Sequence, residues 1–474
     1  MLFSKFGKNN KSLYSQVAKQ FSSNHSKFII VGGGTAGISS ARQLISEKIA
    51  NKDDITIFDP AQFHYYQPGF TKIAGGVIKS NWVKNNFVKF DMKDVTNFVN
   101  FNNHGIKQFL PEEDAVITTS GDKFTYNRLI IAAGLQVNFD GIPGLNDLLN
   151  DQNSKVCSIY SHENSIKTKR LIDEFKGGKA LFTQHSAPIK CAGAPQKILY
   201  LAHDQWDTSL KSKSCDIQFY TPLPAIFGIA YYAPHLRNLA ERKGIKVNYT
   251  TLLTDINSNQ ATFKNTVTGN ITTTGYDFIH VSPPMSAPSF LKGQPISDAS
   301  GFVDITPEMR HKKYPKIYAA GDCISLPCAK TASAVFSQVP ILIQNLKKDI
   351  EQVQKPDGSY QGYSACPIYL KKGSLMMAEF KTYNDEKGTV ISQPDESFFK
   401  GEQTVPRKDF YYLTKIMTFA YYISLKRPWY GCKIFFKPNY VGTVNTNDYS
   451  KYYKYALKSL PFATVITLWF VFAK

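Results

Sequence analysis

The chain has 474 residues, 43% hydrophobic and 20% charged, with a formal net charge of +19. That length predicts two or three domains around a large core, and the charge calls for an anionic partner such as nucleic acid, a membrane surface or an anionic substrate. With no Lys/Arg block or zinc-finger spacing, nucleic acid ranks last and is not expected; seven cysteines without a C-x-x-C pair give neither a disulfide framework nor a metal site.

Residues 1–26 hold four lysines and no acid, are rich in serine, and intersperse Leu2, Phe3, Phe6, Leu13, Tyr14, Val17 and Phe21. This is the composition of a mitochondrial presequence, although arginine is missing; a disordered tail is the alternative. Removing the four lysines still leaves +15, so the presequence does not explain the charge. From Lys27 to Val31 the sequence predicts a short apolar strand, which runs into Gly32-Gly33-Gly34-Thr35-Ala36-Gly37 and then a helical period from Ile38 to Ile49. That is G-x-G-x-x-G between a strand and a helix, where glycines let the backbone approach a pyrophosphate at the helix N-terminus. A second strand, Ile55 to Phe58, ends at Asp59, an acid placed to bind adenosine ribose hydroxyls.

A third strand, Arg128 to Ala132, leads to Ala133-Gly134, and a later one, Lys316 to Ala320, leads to Gly321-Asp322. Three separated segments converging on one Rossmann core indicate FAD, with Asp322 at the ribityl chain. The interrupting segment has a second βαβ rhythm: Ala180-Leu181-Phe182, a helix from about Gln196 to Trp206, a strand at Asp216 to Tyr220 and a helix from Tyr232 to Arg242. No second G-x-G-x-x-G appears, which disfavours NADH as the electron donor. Where that loop belongs, the chain reads Pro188-Ile-Lys-Cys-Ala-Gly-Ala-Pro-Gln-Lys197. Alone, Cys191 is more often a small buried hydrophobe than a nucleophile.

Residues 401–474 carry eleven Lys/Arg against three Asp/Glu, and 19 of the 74 are aromatic. This composition, in Asp409 to Leu425 and Leu460 to Ala473, predicts segments lying in a membrane interface. Leu460 to Ala473 is too short to span a bilayer; a buried C-terminal core or dimer contact is the alternative.

These residues together resemble the sulfide:quinone oxidoreductase family, in its mitochondrial branch. The stretch Pro188–Lys197 is similar to that branch's first redox-cysteine motif, and Gly362-Tyr-Ser-Ala-Cys366-Pro367 to its second. Tyr66-Gln67-Pro68, Thr221-Pro222, Ala225-Ile-Phe-Gly228, His280-Val-Ser-Pro-Pro-Met285 and Gly321-Asp322-Cys323 match in order, and the likeness covers about residues 27–440.

The resemblance implies an α/β fold with two Rossmann-like dinucleotide-binding domains, the second inserted in the first, plus a C-terminal membrane-interface region. The boundaries are 27–149 and 291–345 for the FAD-binding domain, 150–290 for the second domain carrying Cys191, and 346–474 for the C-terminal region carrying Cys366. It implies Cys191 and Cys366 as the redox pair. Around FAD it places Gly32, Gly34, Thr35, Ala36 and Gly37 at the pyrophosphate turn, Asp59 at the ribose, Gln67 near the flavin, Ile106 at the adenine through its main chain, Asp322 at the ribityl chain and Lys330 near the isoalloxazine ring.

The implied reaction oxidises hydrogen sulfide, passes two electrons to ubiquinone, and hands the sulfane sulfur to a small acceptor such as glutathione or sulfite, at the mitochondrial inner membrane, bound peripherally. Hydrosulfide attacks the Cys191–Cys366 bridge, and by the resemblance Cys366 carries the persulfide while Cys191 faces the flavin. Lys190 is the candidate to lower the neighbouring thiol pKa, with a solvated surface lysine as the alternative. Cys157, Cys215, Cys323, Cys328 and Cys432 read as structural, as do His64, His185 and His203 ahead of any role in proton delivery. The rival readings are a type II NADH:quinone dehydrogenase, a flavocytochrome-coupled sulfide dehydrogenase subunit and a non-enzymatic FAD-binding partner protein.

Overall fold

The computed structural model describes residues 24–78, 88–209, 215–354, 358–396 and 401–426. Strand β1 (His25–Val31) carries Phe28, Ile29 and Ile30 with no exposed surface, as expected of a parallel strand covered on both faces. It feeds helix α1 (Thr35–Ser46) and pairs in parallel with β2 (Ile55–Phe58). The short helix α2 (Pro68–Ala74) follows, and β3 (Asn100–Asn102) pairs with β2 at the sheet edge. Next come β4 (Ile106–Leu110), β5 (Ala115–Thr118) and β6 (Lys123–Ile131). Strand β6 changes partner along its length: its first half pairs antiparallel with β5, while β1 runs parallel beside it. The first strand begins two residues inside the stretch read as a leader, since His25 and Ser26 pair with Thr125 and Tyr126.

The chain then builds a second parallel sheet. It contains β7 (Val156–Cys157), helix α3 (His162–Glu174), β8 (Gly178–Thr183), helix α4 (Ala194–Ser209), β9 (Cys215–Tyr220), helix α5 (Ala233–Arg242), β10 (Lys246–Asn248) and β11 (Phe278–His280). Their order is β7-β11-β8-β9-β10, all parallel. Trp206 of α4 is fully buried, with its ring 4.4 Å from Phe175 and 5.3 Å from Phe278. Truncating such a side chain to alanine costs about 3–5 kcal/mol. An antiparallel meander over 251–275 is inserted before β11.

Strand β12 (Ile317–Ala319) returns to the first sheet and pairs in parallel with the second half of β6, giving seven strands among the described residues. Helix α6 (Ala332–Glu351) starts at Thr331, whose hydroxyl accepts from the Ala334 N–H. An antiparallel sheet of β13 (Tyr363–Lys371), β14 (Ser374–Asn384) and β15 (Val390–Pro394) packs against α4 and α6. Helix α7 (Lys408–Lys426) lies over β14 and reaches α1. Among the described residues no helix is long and apolar enough to cross a membrane. The segment Leu460 to Ala473 and Cys432 lie outside the described residues.

Candidate active site

The C-terminal ends of the parallel strands release the loops that form the site. After β1, Gly32 is at φ +108°, where a side chain's Cβ would lie 2.4 Å from the Ala132 oxygen. A Cβ on Gly37 would lie 1.8 Å from the Gly32 oxygen, so this glycine brings helix and strand together. Gly34 differs, because a Cβ there meets nothing within 4 Å and no side chain caps α1. The uncapped start of this twelve-residue helix borders the cavity through Gly34, Thr35 and Ala36, the arrangement a pyrophosphate needs. Asp59 accepts the Gly33 N–H at 2.6 Å and the Ala61 N–H at 2.8 Å. Burial raises its pKa against those two bonds. Ile106 is buried one residue beyond Gly105, which lies against Pro60, so its main chain borders the turn that Asp59 opens.

Gly34, Thr35, Ala36, Gln67, Asp322, Lys330 and Cys191 line one cavity, which runs from the glycine turn to α7. Gly32, Gly37, Asp59 and Ile106 do not line it. Burial pushes the Asp322 carboxyl up, and Lys190 and Lys330 pull it back down. With its side chain accepting no hydrogen bond from the described residues, Asp322 is available to the hydroxyls of a ribityl chain. Lys330 donates from Nζ to the Ile324 oxygen and stands over the Phe302 ring. The residues present fit a flavin dinucleotide.

At the far wall, Cys191 Sγ is 3.6 Å from Cys366 Sγ, and both cysteines are free thiols. One short segment holds the two. The Cys191 N–H donates to the Lys330 oxygen at 2.9 Å, and Ser333 Oγ bonds both the N–H and the oxygen of Ala365 at 2.8 Å. Cys191 sits at φ 51°, an uncommon left-handed conformation for a side-chain-bearing residue, turning the backbone from the loop into α4. Gly193 permits the approach, since a Cβ there would lie 2.7 Å from Cys366 Sγ.

Lys197, not Lys190, serves the thiol. Its Nζ donates to Cys191 Sγ at 3.2 Å, while Lys190 faces Asp322. The hydrogen bond from Cys366 lowers the Cys191 pKa, and Lys197 reinforces that against burial. Cys366 moves the opposite way, chiefly through its bond to Cys191. Of the two sulfurs, Cys191 is therefore the more readily ionised. Burial alone would lower the Lys197 pKa, but negative charge at the two sulfurs raises it on balance.

Cys191, Lys197 and the glycine turn line one cavity, with Cys366 directly behind Cys191, and sequence comparison shows the family. The model for the pyridine nucleotide-disulphide oxidoreductases matches residues 26–175. The mitochondrial sulfide:quinone oxidoreductase of Schizosaccharomyces pombe is 34% identical over 448 residues, covering 89% of this chain and 95% of that one. The chain belongs to the sulfide:quinone oxidoreductase family. The Dictyostelium discoideum member is also 34% identical, over 90% of this chain and 92% of its own. The solved sulfide:quinone oxidoreductase of Aquifex aeolicus has the same fold, with a TM-score of 0.68 at 16% identity over 85% of this chain and 91% of that one.

Within this family member, the contact of α7 with the glycine turn carried no signal in the sequence. Tyr421 of α7 bonds Thr35 Oγ1 at 2.9 Å and His64 Nε2 at 2.6 Å, and His64 Nδ1 bonds the Gly33 oxygen at 2.8 Å. Burial holds the His64 pKa down at about 4, so this histidine is a neutral strut between α7 and the glycine turn. His203 is likewise engaged with the Lys243 oxygen at 3.0 Å. Cys157 and Cys323 are fully buried, and burial raises both thiol pKa values. Only an explicit helix placement, with Lys197 one turn inside α4, would have singled that lysine out.

Proposed function

We propose that the chain oxidises hydrogen sulfide at the Cys191–Cys366 pair and passes two electrons through FAD to ubiquinone. The observation that carries this reading is the 3.6 Å approach of Cys366 to Cys191, which lines the cavity that the dinucleotide turn opens into. FAD, held by the turn Gly32–Gly37, Asp59, Gln67, Ile106, Asp322 and Lys330, supplies a two-electron acceptor. Lys197 keeps Cys191 as thiolate once the pair is reduced, and Lys72, Lys190, Lys197 and Lys330 outnumber Asp322 around the cavity. That excess cation draws hydrosulfide in. Hydrosulfide opens the oxidised pair, leaving a persulfide on Cys366 and a thiolate on Cys191. A small thiol such as glutathione, or sulfite, then takes the sulfane sulfur.

The C-terminal region is the surface through which the protein sits peripherally on the mitochondrial inner membrane. Tyr412, Ile416 and Ile423 of α7 are 39%, 40% and 42% exposed, and their spacing puts them on one helical face. Leu413, Thr414 and Met417 of the same helix line the cavity, which gives a quinone from the bilayer a short way in.

Anaerobic addition of sulfide, and separately of NADH, to the holoenzyme tests the reaction. Sulfide bleaches the flavin absorbance and ubiquinone restores it. Bleaching by NADH alone would instead support the type II dehydrogenase reading.

A further inference from the structure

Lys72 is a buried lysine with no carboxylate partner among the described residues. It lies on α2, is 3% exposed and lines the cavity beside α7. Its Nζ donates to the Thr414 oxygen at 2.6 Å, to Thr418 Oγ1 at 2.6 Å and to Tyr66 Oη at 3.3 Å. All three acceptors are neutral. The titratable groups that face this end of the cavity among the described residues are Tyr66 before α2, Lys197 on α4 and Tyr369 on β13, and none is a carboxylate. A buried ammonium without a counter-charge is costly to keep, and hydrogen bonds to a backbone oxygen and hydroxyls recover only part of that cost. Beyond its share of the cavity's positive charge it has no part in the sulfur chemistry above, where Lys197 serves the thiolate.

We infer that Lys72 is a catalytic residue of the quinone half-reaction, binding a quinone oxygen through Nζ and giving it a proton. This rests on the reading of the site as sulfide:quinone oxidoreductase. The apolar side of the same cavity end, Phe70, Phe336, Leu413 and Met417, suits the ring and first isoprene units of a quinone, and Lys72 supplies a donor there. The weakest of its three bonds, to Tyr66 Oη, is the one a quinone oxygen replaces.

Reduction of the quinone takes two electrons and two protons. The electrons and one proton come from the reduced cofactor. The second proton leaves Lys72 Nζ for a quinone oxygen, the N–H bond breaking as the O–H bond forms. Neutral Lys72 then regains a proton from water. Burial, with a smaller contribution from Lys197, holds its pKa down at about 7, close to the working pH and so suited to a proton donor. The donor form predominates below that value and is lost as pH rises through it.

The test uses the holoenzyme and decylubiquinone. Flavin reduced by sulfide is mixed with decylubiquinone between pH 6 and 9, for wild type, Lys72→Met and Lys72→Gln. Wild type loses rate as pH rises through about 7, and both variants are slower at pH 6 by about 10²-fold and lack that pH break. Calorimetric binding of decylubiquinone to the oxidised protein, a readout independent of turnover, weakens about tenfold, the loss of roughly 1.4 kcal/mol of hydrogen bonding. Wild-type rates, pH break and affinity in either folded variant overturn the role of Lys72. Failure of sulfide to reduce the wild-type flavin, or of decylubiquinone to reoxidise it, overturns the functional reading instead.

Discussion

Lys197 Nζ lies 3.2 Å from Cys191 Sγ, six positions apart across the start of α4. That contact should set the nucleophilicity of the reduced pair. In protein reduced by a thiol, Lys197→Met takes away the charge that favours the Cys191 thiolate. Alkylation of Cys191 by iodoacetamide at pH 6.5 then falls at least about tenfold, the effect of one pKa unit, and its pH midpoint moves up. An unchanged midpoint would remove Lys197 from the account.

Cys191→Ser and Cys366→Ser each abolish sulfide-dependent bleaching of bound flavin while leaving its absorbance spectrum in place. Gly193→Ala is the sharper probe, since the added Cβ intrudes on Cys366 Sγ at 2.7 Å. Reduction by sulfide slows in this variant although both thiols remain. A wild-type rate would mean that the sulfurs need not approach so closely.

The glycine turn separates cofactor contact from folding. In Gly34→Ala the new Cβ enters open space, so the flavin-free protein keeps its Tm while FAD retention in gel filtration falls. In Gly37→Ala the Cβ overlaps the Gly32 oxygen, and soluble yield and Tm both drop. Equal FAD retention in Gly34→Ala and wild type would exclude that face of the turn as the pyrophosphate site.

Much of this was legible in the sequence for identifiable reasons. The β1–turn–α1 unit announces itself because parallel strands are apolar throughout and the turn admits only glycine at Gly32 and Gly37. Cys191 and Cys366 were legible only as motifs, since nothing local joins residues brought together by the Lys330–Ser333 segment. Lys190 looked like the thiol's partner by adjacency, yet the left-handed turn at Cys191 directs the chain so that Lys197 reaches the sulfur instead. Helix α7 was read from composition as a membrane-interface segment, with a buried core or dimer contact as the alternative, and one of its faces, with Tyr412, Ile416 and Ile423, is exposed. Its other face, with Tyr421 2% exposed, depends on contacts with residues far away in sequence.

That exposed face gives a prediction of its own. Ile416→Glu combined with Ile423→Glu should reduce sedimentation with anionic liposomes, because charge replaces buried apolar area in the interface. The flavin spectrum is retained, as both side chains point away from the cavity. Undiminished sedimentation would move membrane attachment off α7.

Tyr421→Phe removes the bonds to Thr35 and His64 and should destabilise the protein by about 1–3 kcal/mol, since a buried imidazole nitrogen is left unpaired. Urea unfolding of the holoenzyme measures this, and a loss below about 0.5 kcal/mol would mean the strut carries little.

The Thr35–Tyr421–His64 link ties α7 to the glycine turn, and with the roles proposed for these two elements it puts cofactor uptake and lipid attachment on one lever. Coupling between two binding events is reciprocal, so whatever fastens α7 against the glycine turn also tightens the grip on the dinucleotide, and a filled turn presents α7 better to lipid. On those proposed roles, a chain without its flavin docks less well on the bilayer, and a chain kept off the bilayer holds its flavin less well.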